Sequence, residues 1–185
     1  MLANTLAAFA TLALVSAQSC PPPSSTTPPP PPPTGTVLHP NGDAGKCLDV
    51  QGANFANGTP VQIWDCNGTP AQAWTLQRGA GKVKLSANGT NFCLDAGTSE
   101  LATVHADADP GNGVGMKIWS CVDVPQQNWF YTGDNRIALT GQGFCLDLPS
   151  GNKNNGNRVQ IWQCGTGNNN QVWTTNVIRR RYYRG

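Results

Sequence analysis

Three aspartates, Asp49, Asp95 and Asp147, each follow the same two residues, Cys-Leu. Downstream of each comes an Ile-Trp-x-Cys run ending at Cys66, Cys121 or Cys164, then a Gln-x-Trp run ending at Trp74, Trp129 or Trp173. These residue types suit recognition more than bond cleavage. A carboxylate accepts hydrogen bonds from two adjacent hydroxyls at once. An indole stacks on an apolar face, and a side-chain amide donates and accepts around the rim. A ligand with vicinal hydroxyls and one apolar face would use all three groups.

Other chemistries find little support. Glycoside hydrolysis usually needs two carboxylates flanking one bond, yet Glu100 is the only glutamate, and the aspartates of the motif recur once per copy. His39 and His105 stand near no Gly-x-Ser-x-Gly signature and read as solvated loop histidines. Two histidines and no Cys-x-x-Cys pair argue against a metal site, and no cofactor is expected. Four of the 12 basic residues, Arg179, Arg180, Arg181 and Arg184, lie in the tail. The body is therefore slightly acidic and offers no basic face to neutralise nucleic-acid phosphates.

The elements that must position these residues are short strands. The chain repeats itself three times, and all six Trp and six of the seven Cys fall in the repeated motifs. The interval between the two cysteines is 19 residues in copies one and three and 28 in copy two, which places a nine-residue insertion within Ser99–Gly113. Alternating pairs such as Val61/Ile63 and Met116/Ile118, broken by Asn-Gly and Gly-Asn turns, predict about four short strands per copy. Three copies are too few for a solenoid or a propeller. A closed threefold all-β barrel, which leaves no edge strand, is the natural architecture.

Composition divides the chain further. Residues 1–17 read as a secretory signal, with an apolar run from Leu6 to Val15 ending at Val15-Ser16-Ala17, too short to span a bilayer. Residues 18–35 form a Pro/Ser/Thr-rich linker, 36–178 the repeat domain and 179–185 a basic tail. Seven cysteines fit an oxidising, extracellular compartment. Cys20, outside the repeats, is available for a disulfide-linked dimer. Asn57, Asn67 and Asn88 each begin an Asn-Gly-Thr acceptor for N-glycosylation or, equally, a plain Asn-Gly turn.

The threefold Cys-Leu-Asp, Ile-Trp-x-Cys and Gln-x-Trp set resembles the ricin B-type lectins, also grouped as family 13 carbohydrate-binding modules, over residues 36–178. The resemblance implies a β-trefoil with one disulfide per repeat, and up to three shallow sites for galactose- or xylose-type sugars. Six cysteines allow 15 pairings. Repeat equivalence selects Cys47–Cys66, Cys93–Cys121 and Cys145–Cys164, and the resemblance implies the same. Trp74, Trp129 and Trp173 are expected in the core with Leu48, Leu94, Leu146, Ile63, Ile118 and Ile161.

The resemblance also assigns sugar contacts. It uses the Asp after Cys-Leu, the aromatic before the second Cys, the Asn/Gln pair leading into the last Trp, and a Gln that orients the carboxylate. Copy three carries the whole set: Asp147, Gln160, Trp162, Asn170 and Gln171. Copy one carries Asp49, Gln62, Trp64 and Gln72, but Ala71 replaces the Asn, and Asn67 is the candidate substitute. Copy two keeps Asp95 and Trp119, but Lys117 replaces the orienting Gln and Gln126 the Asn, so it reads as degenerate.

The expected function is therefore non-catalytic binding of glycans or polysaccharide by a secreted protein, with no nucleic-acid partner and no membrane span. A secreted protease inhibitor or other protein-binding trefoil, acting through Ser99–Gly113, is the alternative. An accessory module to a catalytic partner is a third reading.

Overall fold

A computed structural model describes residues 35–87, 89–97 and 110–178. The signal-like run, the linker up to residue 34, Cys20, Asn88, His105, most of the Ser99–Gly113 insertion and the basic tail lie outside the described residues. Strands β1 (Gly35–Pro40), β2 (Lys46–Val50), β3 (Val61–Asp65) and β4 (Trp74–Thr75) build copy one. Strands β5 (Gly79–Gly81), β6 (Lys84–Leu85), β7 (Phe92–Asp95), β8 (Lys117–Ser120) and β9 (Trp129–Tyr131) build copy two. Strands β10 (Ile137–Leu139), β11 (Phe144–Asp147), β12 (Gln160–Gln163) and β13 (Trp173–Ile178) build copy three. Among the described residues no helix is long and apolar enough to cross a membrane.

Each copy centres on an antiparallel hairpin in one register. Leu48 faces Ile63 across β2–β3, Leu94 faces Ile118 across β7–β8, and Leu146 faces Ile161 across β11–β12. Side chains alternate along a strand, so these six apolar residues share the inner face, where all are fully buried. Neighbouring copies join through β4–β6 and β9–β10, and β13 returns to pair with β1 along six residue pairs, Gly35↔Ile178 to Pro40↔Trp173. That return leaves neither chain end of the domain as an unpaired edge.

The threefold pattern extends to single hydrogen bonds. Val61 N donates to Met116 O at 3.1 Å, Met116 N to Val159 O at 2.8 Å, and Val159 N to Val61 O at 3.0 Å, a ring that passes once through every copy. Trp74, Trp129 and Trp173 lie in the core, and their indole N–H groups donate to the carbonyls of Leu48, Leu94 and Leu146 at 3.0, 3.0 and 2.9 Å. Each large aromatic thus buries its area without stranding its polar edge. The disulfides are Cys47–Cys66, Cys93–Cys121 and Cys145–Cys164, as repeat equivalence selects. Each closes a short loop and contributes about 3–4 kcal/mol in the chain-entropy account. The fold is a β-trefoil.

One expectation is corrected. His39 is not a solvated loop residue: it sits on β1, only 4% exposed. Its Nδ1 lies 2.8 Å from the Lys46 carbonyl oxygen, which can only accept, so Nδ1 carries a proton. Nε2 is 3.2 Å from the Asn176 amide nitrogen of β13, which donates to it. Strand alternation turned the ring inward, beside the Cys47–Cys66 sulfurs. Those sulfurs are bonded to each other, so the His39, Cys47 and Cys66 cluster holds no free thiolate for a metal ion.

Candidate carbohydrate site

The hairpin register explains how three motif residues meet. Across β2–β3, Asp49 pairs with Gln62 and Cys47 with Trp64; across β11–β12, Asp147 pairs with Gln160 and Cys145 with Trp162. The aspartate lies two residues beyond its cysteine and the amide two before its tryptophan, so alternation sets them all on the face opposite the core.

In copy one, Gln62 Nε2 donates to Asp49 Oδ1 at 3.0 Å and Gln72 Nε2 donates to Oδ2 at 3.0 Å. Gln72 also donates to the Asp65 carbonyl at 2.9 Å and accepts from the Asn67 backbone N–H at 2.8 Å. Gln72 is fully buried, so it braces the carboxylate from behind and does not stand at the rim. Burial raises the pKa of Asp49 above the ordinary 3.8, and this outweighs the lowering by the hydrogen bonds from Gln62 and Gln72. Asp49, Gln62, Trp64 and Asn67 line one cleft of about 460 Å³, with Trp64 40% exposed. Ala53, Thr69 and Ala71 line it too, as does Gly156 from copy three. The Asn67 side-chain oxygen accepts from the Thr69 N–H at 3.0 Å and hydroxyl at 2.7 Å, so it is held by its own turn.

In copy three, Gln160 Nε2 donates to Asp147 Oδ1 at 3.0 Å. Asp147, Gln160, Trp162 and Asn170 come together in a cleft of about 380 Å³, with Trp162 43% exposed. Gln171 is fully buried; it donates to the Gln163 carbonyl at 3.0 Å and accepts from the Gly165 N–H at 2.9 Å. Sequence reasoning missed Asn168, which approaches Asp147 Oδ2 at 3.5 Å and accepts from the Asn170 N–H at 3.0 Å. The run Asn168-Asn169-Asn170 was its only signal, because copies one and two carry Thr69 and Val124 at that position.

Copy two is built differently. The register pairs Asp95 with Lys117, and the Lys117 ammonium lies 3.1 Å from Asp95 Oδ1. It also donates to the Gly97 carbonyl, while the Gly97 N–H and Gln127 donate to Asp95 at 2.8 and 2.9 Å. Asp95 is fully buried, and Trp119 is 5% exposed. A cleft of about 400 Å³ between copies is lined by Lys117, Pro60 and Arg158. The Asp95 carboxylate is committed to an internal cation.

Two clefts therefore each combine one carboxylate, an oriented amide and a half-exposed indole. That set accepts hydrogen bonds from paired hydroxyls and stacks on an apolar face. The family model for the ricin-type beta-trefoil lectin domain matches residues 35–173. No curated protein matches the chain in sequence. Among solved structures, the designed threefold-symmetric protein ThreeFoil is 23% identical, with a TM-score of 0.61 over 76% of this chain and 96% of its own. The C-half of an earthworm R-type lectin in complex with GalNAc is 22% identical, with a TM-score of 0.59 over 79% of this chain and 100% of its own. An exo-β-1,3-galactanase from Clostridium thermocellum is 22% identical, with a TM-score of 0.62 over 78% of this chain and 30% of its own. At such identities the likeness establishes the fold.

Proposed function

The chain belongs to the ricin-type β-trefoil lectin family, and from that premise we propose that it is an exported, non-catalytic carbohydrate-binding protein whose working clefts are those of copies one and three. One observation carries this reading. In both copies a carboxylate lines a cleft together with an indole about 40% exposed, whereas in copy two the indole is 5% exposed and the carboxylate is paired with Lys117.

Galactose- or xylose-type sugars are the proposed ligands. A neutral ring with adjacent hydroxyls and an apolar face matches the lining, and the earthworm structure holds GalNAc. Among the described residues each cleft is lined by a single carboxylate, Asp49 or Asp147, which supports binding without glycoside hydrolysis. Export is supported by the signal-like residues 1–17 and by three disulfides.

Open clefts of this kind bind weakly, near millimolar, or about −4 kcal/mol. Engaging both on one polymer multiplies retention through effective concentration. The test is retention on immobilised galactosides and on xylan, with free galactose and xylose as competitors. Asp49→Ala and Asp147→Ala should each weaken retention, and the double variant should abolish it while thermal melts stay cooperative. Full retention by the folded double variant would exclude these clefts.

A further inference from the structure

Copies one and three differ at two positions that face each other. In copy three, Asn170 fills the space above Gly151: a Cβ added at Gly151 would lie 2.9 Å from Asn170 Oδ1 and 3.6 Å from its Cγ. The first distance is shorter than real Cβ contacts, but the atom met is the free end of the Asn170 side chain, so a methyl group at Gly151 would turn the amide aside from its present position. Copy one carries alanine at both equivalent places. Ala53 lies four residues after Asp49 as Gly151 lies four after Asp147, and Ala71 precedes Gln72 as Asn170 precedes Gln171. Ala53 keeps its Cβ at a φ of 51° and Gly151 has a φ of 64°, so the backbone path is shared and only the side chains have changed. The exchange is reciprocal: with the amide gone, the methyl group fits.

The two pairs lie on the candidate clefts. Ala53 and Ala71 both line the cleft of Asp49 and Trp64, and Asn170 lines that of Asp147 and Trp162. The clefts thus share a carboxylate and an indole but differ on a third wall, which is two methyl groups in copy one and a carboxamide in copy three. The cleft without the amide is the larger, about 460 against 380 Å³. A hydroxyl turned toward Ala53 and Ala71 would give up water for no partner. A methyl group turned toward Asn170 would mask the amide in the same way.

We propose that these pairs give the two clefts different preferences. Copy one selects a sugar that turns the methyl group of a deoxy or acetamido substituent toward Ala53 and Ala71. Copy three selects one that turns a hydroxyl toward Asn170. This inference rests on the carbohydrate-binding reading above.

Single-cleft proteins test it. Asp147→Ala isolates copy one and Asp49→Ala isolates copy three. Each is titrated calorimetrically with D-galactose, 6-deoxy-D-galactose and N-acetylgalactosamine. The Asp147→Ala protein should bind at least one methyl-bearing sugar about fivefold more tightly than galactose, the worth of one buried methyl group. The Asp49→Ala protein should prefer galactose. Adding Ala53→Gly with Ala71→Asn to the first, and Gly151→Ala with Asn170→Ala to the second, should exchange the two rankings, with circular dichroism confirming the fold. Ala71→Asn alone places the amide against the Ala53 methyl and should weaken all three sugars, and Ala53→Gly should restore binding. The same ranking in both single-cleft proteins would overturn the inference and leave the carbohydrate reading standing. Failure of the parent protein to bind any glycan on an array would overturn both.

Discussion

Asp95 and Asp147 occupy the same place in two copies of one repeat, each in a Cys-Leu-Asp run paired across a hairpin with the strand that carries Ile-Trp-x-Cys. The residue opposite differs: Gln160 donates to Asp147, which lines an open cleft though it is only 4% exposed, and Lys117 brings an ammonium 3.1 Å from the fully buried Asp95. The tryptophans diverge in the same sense, Trp162 being 43% exposed and Trp119 5%. The disulfide, the buried Gln and the core Trp are alike in both copies. The repeat therefore contains a folding part, present in all three copies, and a cleft-lining part that is internal structure where the cation comes from within.

The sharpest way to break that comparison is to remove each aspartate. Asp95→Ala leaves a buried ammonium without its carboxylate and should cost about 3–5 kcal/mol in urea unfolding. Asp147→Ala strands no charge and should cost about 1 kcal/mol or less while weakening sugar retention. Equal losses of stability would mean that copies two and three do not differ as described.

The tryptophans give the next largest contrast. Trp119→Ala should destabilise by about 3 kcal/mol, as expected for a large buried aromatic, and leave retention unchanged. Trp162→Ala should change stability by less than about 1 kcal/mol and lower sugar affinity about tenfold, through loss of the stacking surface. Loss of sugar affinity in the folded Trp119→Ala protein would reopen copy two as a site.

The smallest effect concerns pH and copy one. Burial holds the Asp49 pKa above 3.8, so on acidification the carboxylate takes up its proton before an ordinary aspartate would. A protonated carboxyl accepts hydrogen bonds less well. Retention by the Asp147→Ala protein should therefore fall with a midpoint above pH 3.8. For stability the sign is opposite. A carboxyl whose folded pKa is raised favours the folded state below the unfolded pKa, and loses that contribution as pH rises through the folded pKa. Asp49→Asn should remove this loss, seen as a flatter stability profile across the acid range.

Much of the fold was legible before any coordinates. Repeat equivalence selected the three disulfides, and the closing Gln-x-Trp tryptophans lie in the core with their Leu and Ile partners. These follow from local chemistry repeated three times. The site was legible in part. Asp49 with Trp64, and Asp147 with Trp162, share a face because strand alternation puts them there, and Lys117 already marked copy two as divergent. Asn168 and the fit of Asn170 over Gly151 were not legible, because neither repeats in the other copies. The burial of His39 was missed because β1 meets β13 across almost the whole length of the domain.

The sequence by itself determined the period, the cysteine partners and which side chains share a strand face, since each depends on repeat equivalence or on alternation within a few residues. Only the tertiary structure decided which tryptophan meets solvent. Exposure depends on tertiary packing around the indole, beyond its own hairpin. A Cβ at Gly58 of copy one would lie 3.7 Å from Trp119, one at Gly113 of copy two 3.9 Å from Trp162, and Gly156 of copy three lines the cleft of Trp64. Each Ile-Trp-x-Cys motif thus has a glycine of another copy at its side, because closure of the barrel makes each copy a wall of the next, and the exposure of its indole is set by packing that the motif itself does not encode.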